Sequence, residues 1–274
     1  MQVKNKKKAP WLPALCLAAG LLLVVLLVIF RPTEAAPQPT RPELPSRLPA
    51  NPYSPADFAL SEDGTVTCLT GQTVLGIDVS GFQGEIDWQQ VKDSGVQFVF
   101  IRVGHRGTTE GGLYADEAAQ AYYTGAVSAG LQVGAYFFSQ AITSEEARQE
   151  AAFTLEQIAG WELSLPVVYD WEWVDDQSRT AQVDGQTLTE CTLAFCRRIA
   201  DGGYVPMIYF NTHQALERLE MEALADYDFW LAQYDGALDF PYQVDFWQYS
   251  CTGSVPGISG SVDMNLQFVF TQTP

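Results

Sequence analysis

From Val74 onward, short apolar runs rich in β-branched and aromatic residues recur along the chain. They cover Val74 to Ser80, Phe98 to Gly104, Gln132 to Ser139, Leu165 to Trp173, Val205 to Asn211, Asp228 to Tyr234, Asp245 to Ser250 and Val262 to Phe268. Runs of this length and composition predict eight strands. Between the early ones the apolar spacing becomes helical, which predicts helices over Asp87 to Ser94, Tyr114 to Ala129, Thr143 to Ala159 and Thr187 to Asp201. Alternating strands and helices imply a parallel sheet. Eight such units in about 200 residues suit an irregular (β/α)8-type, TIM-like barrel of the α/β class. The last two connections are too short for full helices, so the closing third should be irregular. A doubly wound open sheet is the alternative, but no GxGxxG or GxxxxGK[ST] follows a strand, and nucleotide binding by that route has no support.

The pattern before Val74 is different. Trp11 to Phe30 is an uncharged run of twenty residues, long enough at ~1.5 Å per residue to cross a hydrocarbon core of ~30 Å. Lys4, Lys6, Lys7 and Lys8 precede it and only Arg31 follows directly. That bias predicts a single-pass protein with residues 1–10 cytoplasmic, a transmembrane signal-anchor helix over 11–30 and everything later outside. A cleavable signal peptide is the competing reading. Its apolar region is usually only ~7–15 residues and ends in a small-x-small site, whereas this run ends in Arg31-Pro32. Residues 31–71 then read as an extracellular Pro-rich linker, with eight prolines between Pro32 and Pro55 favouring extended polyproline II. Residues 72–274 remain for the barrel. The chain runs six residues past Phe268, so no wall-binding repeat is expected after it and localisation should come from the anchor.

Charge and composition narrow the chemistry. The net charge is −18, with +5 in the first 31 residues and −23 in the remainder. A body this acidic repels phosphate backbones, which excludes nucleic-acid binding. With two histidines, His105 and His213, and five cysteines lacking any CxxC spacing, no zinc finger or histidine-rich metal centre can be assembled, and no metal or other cofactor is expected. Cys191 and Cys196 fall on one predicted helix ~140° apart around its axis, so they are not expected to bond to each other. A monomer is expected.

Active sites of such barrels lie at the C-terminal ends of the strands. The first strand ends in Gly76-Ile77-Asp78-Val79-Ser80, the fourth in Tyr169-Asp170-Trp171-Glu172-Trp173, and the eighth carries Val262-Asp263-Met264-Asn265. A carboxylate among apolar strand residues is costly to ionise unless it is paired or functional. Any one of these could simply cap a loop, and Asp78 and Asp263 are the most open to that reading. Asp170 and Glu172 are sharper: at i and i+2 on one strand they share a face, with Cα atoms ~6.5 Å apart. Crowded carboxyls cannot all ionise freely, so one should keep its proton at neutral pH. A protonated carboxyl beside an ionised one is glycosidase equipment. Tyr136, Tyr209, Trp230, Tyr234, Trp247 and Tyr249 fall on predicted strands with the amides Gln233 and Gln248 among them. Core packing accounts for some of these rings. Aromatic faces beside amides and carboxylates nonetheless suit a sugar, and all but Tyr249 are candidate substrate contacts.

The chain also resembles glycoside hydrolase family 25, the lysozymes that cleave peptidoglycan. The resemblance rests on Gly76 to Ser80 with Gln83-Gly84, Ile86-Asp87-Trp88 and Val91-Lys92, then Ile101 to Gly104 and Tyr136 to Ser139. It continues through Asp170-Trp171-Glu172, Phe229 to Tyr234, Trp247 to Ser250 and Gly257 to Asn265. It implies an irregular β/α barrel and hydrolysis of the β-1,4 bond between N-acetylmuramic acid and N-acetylglucosamine in peptidoglycan glycan strands. It further implies that Glu172 is the general acid/base, that Asp170 orients the substrate acetamido group, and that Asp78 and Asp263 are flanking site carboxylates. His105 departs from the pattern, standing on a loop after the second strand where the resemblance leads one to expect an aromatic. His213 is expected to cap or face solvent. The competing functions are a chitinase-like hexosaminidase, a tethered wall-binding module without turnover, and a metal-dependent phosphodiesterase built on the acidic cluster.

Overall fold

A computed structural model describes residues 47–270 apart from Asp235. The segment Trp11 to Phe30, the basic residues before it and the linker up to residue 46 lie outside the described residues. Among the described residues no helix is long and apolar enough to cross a membrane.

Eight strands close into a barrel. In chain order they are β3 (Thr73–Val79), β4 (Phe98–Arg106), β6 (Gln132–Ser139), β7 (Val167–Trp171), β8 (Pro206–Asn211), β9 (Asp228–Ala232), β10 (Phe246–Gly253) and β11 (Val262–Phe268). Neighbours from β3 through β10 pair parallel, and the β3–β4 pairing together with β11 completes the ring. The all-parallel expectation fails at one strand: β11 is antiparallel to both β10 and β3. The short link between β10 and β11 is the cause. A hairpin can only reverse direction, whereas a parallel return needs a crossover of a dozen or more residues.

Four of the crossovers carry the predicted helices, here α1 (Trp88–Asp93), α2 (Ala119–Ser128), α3 (Ser144–Gln157) and α4 (Gly185–Asp201), and a short α5 (Thr212–Glu217) follows β8. Asp87, Thr143, Asp184 and Asn211 each accept a hydrogen bond from a backbone N–H of the first turn, so the starts of α1, α3, α4 and α5 are set by side-chain caps. The helix expected from Tyr114 starts later. Leu113–Ala115 instead forms β5, a strand antiparallel to β4, and Asp116 turns the chain by accepting from the backbone of Ala118 and Gly81 and from Arg102. Cys191 and Cys196 lie on α4 as buried free thiols.

Two cores result from strand alternation. Outward residues pack under the helices. Inward ones fill the barrel with Phe98, Phe100, Tyr136, Val168, Met207, Tyr209, Trp230 and Phe246. Two glycines make room for this plug: a Cβ at Gly76 or Gly134 would overlap the ring of Phe98 or Phe100 respectively.

The packed unit begins well before residue 72. Leu48, Phe58, Val66 and Cys68 are buried, and β1 (Phe58–Leu60) pairs with β2 (Val66–Cys68). Tyr53 stacks on Phe268 with ring centroids 4.9 Å apart, and Phe58 meets Trp247 edge-on at 5.0 Å. The backbone N–H of Asn51 donates to the Pro241 carbonyl and its side-chain amide to the Phe240 carbonyl. Residues 47–71 are therefore a strap on the outer face of β10 and β11 and not a free linker. Proline content hid this, because the strap anchors itself through a few rings and single bonds that leave no periodic trace.

Candidate active site

The rim formed by the C-terminal ends of the parallel strands carries all four candidate carboxylates. Asp78 sits near the end of β3 and Asp170 in β7, with Glu172 just past the β7 end on the same face. Asp263 reaches this rim because β11 is reversed: its first residues pair with the last of β3, Asp263 opposite Asp78. Together they line a cleft of about 260 Å³ whose other walls include Arg102, Tyr136, Tyr209, Trp230, Tyr234 and Gln248. The aromatic plug of the barrel forms the floor. It puts a low-dielectric surface directly beneath the charges.

A continuous set of hydrogen bonds orders one side of the cleft. The Trp230 indole N–H donates to Asn265 Oδ1 (2.8 Å), and the amides of Asn265 (2.7 Å) and Gln248 (2.9 Å) both donate to Asp78 Oδ2. The hydroxyls of Tyr209 and Tyr234 donate to Gln248 Oε1 at 2.9 and 2.6 Å. On the other side, the buried Gln140 donates from Nε2 to the Glu172 carbonyl (2.7 Å), and Gln214 donates to the Trp171 carbonyl (3.0 Å). These bonds fix the backbone where β7 stops. The position of the Glu172 carboxyl is thereby set relative to Asp170.

The carboxyls stand as two neighbouring pairs, Asp170 with Glu172 and Asp78 with Asp263. Burial first, and then the charge of Glu172, hold Asp170 well above the usual carboxylate range. Burial also raises Glu172, against a lowering hydrogen bond from Asp170. Asp78 is raised well above its ordinary value by burial and by Asp263, in spite of its two amide donors, and Asp263 is raised by burial. Asp170 is the more buried member of the pair at 5% exposure, and ionising the deeper carboxyl costs more. Asp170 Oδ1 has no hydrogen-bond partner and is out of contact with solvent. An unpartnered buried oxygen adds to the cost of ionising Asp170.

Behind the cleft, Glu150 on α3 is buried beneath β6, where it pairs with Arg106 at 2.6 Å and accepts from Ser139 Oγ at 2.6 Å. Burial outweighs both partners and raises its pKa from 4.5 to about 7. The sign of the linkage follows. A carboxyl raised in the folded state contributes stability that is full below its unfolded pKa and is lost as pH rises through the folded value. Thermal stability should therefore decline from about pH 5 to about pH 8, with the cleft carboxyls acting in the same direction. Glu150→Gln should flatten part of that decline in melting curves. An unchanged slope in the variant would show that Glu150 is not the titrating group.

Not every predicted contact reaches the cleft. Trp247 is fully buried on the outer face of β10 against Phe58 and Tyr249, its N–H donating to the Gln233 carbonyl. The Gln233 side chain turns away to bond Asp239. Side chains alternate along β10, so Trp247 cannot share a face with its neighbour Gln248, and Gln233 lies past the end of β9, where Asp239 holds its side chain. His105 lies within β4 and not on a loop, stacked on Tyr114 at 5.3 Å. His213 is exposed on α5, as expected. Three site residues were not singled out from the sequence: Arg102, Phe82 and Asn265. Parity could have given Arg102 and Asn265, which stand two positions from Phe100 and Asp263. Nothing local marks Phe82.

Residues 77–258 match the family model of glycosyl hydrolases family 25. "Lysozyme M1" of Streptomyces globisporus is 28% identical over 286 residues, covering 92% of this chain and 90% of that protein. The bacterial lysozyme from Streptomyces coelicolor superposes with a TM-score of 0.59 at 28% identity, over 73% of this chain and 93% of that one. The modular autolysin LytC from Streptococcus pneumoniae, solved with a synthetic peptidoglycan ligand, gives 0.65 at 26% identity over 76% of this chain and 49% of that one. The matched segment runs from beside Asp78 on β3 past the Asp170–Glu172 pair to the approach of β11, and on that ground the chain belongs to glycosyl hydrolases family 25.

Proposed function

We propose that this chain is a peptidoglycan hydrolase of the lysozyme type. It cleaves the β-1,4 bond between N-acetylmuramic acid and N-acetylglucosamine with retention, assisted by the substrate's own acetamido group. The observation that carries the mechanism is the pair of buried carboxyls, Asp170 in β7 and Glu172 two positions on, standing on one face at the rim of the barrel with burial raising both. An acetamido N–H donating to the Asp170 carboxyl stabilises its ionised form and leaves the proton of the pair on Glu172. Glu172 then gives this proton to the glycosidic oxygen as the bond from that oxygen to the anomeric carbon breaks. The acetamido oxygen attacks the same carbon and forms an oxazolinium ring, whose positive charge faces Asp170. Water next attacks the anomeric carbon, delivers a proton to Glu172 and reopens the ring, which leaves Glu172 protonated and Asp170 ionised, as they stood before the glycosidic bond broke. Asp78, held by Asn265 and Gln248, orders the adjoining wall, and Tyr136, Tyr209, Trp230 and Tyr234 offer ring faces and hydroxyls to the sugars.

Mass spectrometry of fragments released from cell walls by the full chain tests this reading. Products should end in reducing N-acetylmuramic acid, with the β-anomer formed first by NMR. Reducing N-acetylglucosamine ends, or cleavage of chitin oligomers in preference to cell wall, would overturn it. The proposal also places the enzyme on the outer face of the membrane, tethered by Trp11 to Phe30. The flanking lysines and the length of the uncharged run support this. Protease added to intact cells should then digest the barrel, and protection until lysis would refute the topology.

A further inference from the structure

Glu172 stands just beyond the regular part of β7. The ladder from β7 to β6 ends at the Ser139–Trp171 pair, and the ladder to β8 at Asp170–Tyr209. Its backbone lies past both, yet the carboxyl it carries has to meet one glycosidic oxygen. Among the described residues, the one side chain that bonds the Glu172 backbone is that of Gln140, the first residue after β6 and wholly buried. The Gln140 amide has two carbonyls on one side and a hydroxyl on the other. Its Nε2 donates to the Ser139 carbonyl (2.9 Å) and the Glu172 carbonyl (2.7 Å), and its Oε1 accepts from Thr180 Oγ1 (3.2 Å). Both donor hydrogens are used, so the amide has one orientation. The Gln140 carbonyl in turn accepts from Arg179 Nη1 at 2.9 Å, and the same guanidinium grips Glu146 on α3 through bonds of 3.0 and 2.6 Å. The Trp171 indole donates to the Ala141 carbonyl at 3.0 Å. The stretch after β6 and the chain leaving β7 are thus bonded to each other at four points.

We propose that Gln140 is the positioning residue of the general acid: it holds the Glu172 backbone so that the carboxyl faces the bond to be cleaved, and the Arg179–Glu146 pair fixes Gln140 in turn. The assignment rests on the peptidoglycan-hydrolase reading above. Gln140 does not line the cleft and acts only through Glu172. Its lever is geometry. A displacement of ~1 Å at a reacting group can cost ~10²-fold in rate, while Tyr209 and Trp230, which offer faces to the sugars, sit on β8 and β9 and stay in place. Losing the Gln140 amide should therefore lower kcat and spare KM.

The test measures kcat and KM of the full chain on soluble peptidoglycan fragments across pH, for wild type, Gln140→Met, Gln140→Glu and Thr180→Val, with folding checked by circular dichroism. Gln140→Met keeps the length of the side chain and loses every bond of its amide. Its kcat should fall roughly ten- to hundredfold with KM within about twofold of wild type, the split expected when geometry at the reacting centre is lost and binding is kept. Gln140→Glu adds a switch. Ionised, its carboxyl has no hydrogen for the Glu172 carbonyl; protonated, it has one. Its kcat relative to wild type should therefore rise toward acid pH. The added charge acting on Glu172 alone would raise the pKa of that carboxyl and favour activity toward alkaline pH instead, so the direction separates the two effects. A folded Gln140→Met protein with kcat near wild type, or with its loss carried by KM, overturns the proposal and leaves the hydrolase reading standing. A Gln140→Glu ratio that is flat or rises toward alkaline pH overturns it as well. If Gln140→Met does not fold, Thr180→Val decides, because it leaves the amide in place with one anchor fewer. A kcat about two- to fivefold lower at constant KM, the worth of one hydrogen bond, supports the proposal, and an unchanged kcat overturns it. If wild type cleaves none of the fragments, the hydrolase reading fails and the positioning role with it.

Discussion

Glu172→Gln is expected to lower turnover by ~10²-fold or more, the usual loss when general acid catalysis is removed, or about 2.7 kcal/mol at the barrier. Glutamine preserves the volume and one acceptor but has no proton to give to the leaving oxygen. The fold should persist, because the backbone of residue 172 is held by Gln140 through its carbonyl and not through the carboxyl. Removing one ionisable group from a crowded, buried cluster also relieves repulsion. The melting temperature of the variant should therefore equal or exceed that of wild type at neutral pH. Sugar binding should remain measurable by calorimetry. A folded Glu172→Gln protein that turns over near the wild-type rate would end the assignment.

Asp170→Asn is expected to cost ~10²-fold or more as well, because it removes the charge that faces the developing oxazolinium, and one such electrostatic group is typically worth ~10²–10³. It carries a second consequence that Glu172→Gln does not. With asparagine at 170, Glu172 in the substrate complex no longer faces an ionised Asp170 and gains an amide that can donate to its own ionised form, so its pKa there falls. The reaction needs Glu172 protonated, a state present below its pKa and lost as pH rises through it. The alkaline limb of the residual activity should accordingly move to lower pH. A limb that stays in place would mean that the two carboxyls do not share a proton in the working enzyme. Inversion at the anomeric carbon would require the pair to flank a water and would give Asp170 another role.

How much of this was legible in the sequence varies by element. β6 and β11 have the bounds read from composition alone, and the other six barrel strands shift only at their ends. Strands buried on both faces leave a continuous apolar run that survives any detail of packing. β1, β2, β5 and α5 left no such trace. β1, β2 and β5 have only three residues each, and they are held by partners distant in sequence, such as Trp247 for Phe58, or Gly81 and Arg102 for Asp116 at the turn after β5. Asp170 and Glu172 were legible because their relation is local, two positions on one strand. Their pairing with Asp78 and Asp263 was not derivable from spacing, since it depends on the closed ring and the direction of β11.

The sequence by itself determined the periodicities, and through them eight strands, four helices, the acidic body and a carboxyl pair facing one way. These follow from the alternation of side chains along a strand and the burial of apolar runs, both properties of neighbouring residues. Only the tertiary structure decided which ring faces the sugar and which faces the core, as Trp230 and Trp247 illustrate, and that residues 47–71 belong to the packed unit. It also decided where protons rest. The pKa of a carboxyl depends on how much water the whole fold removes and on which charges it brings near, and no stretch of chain carries that information alone.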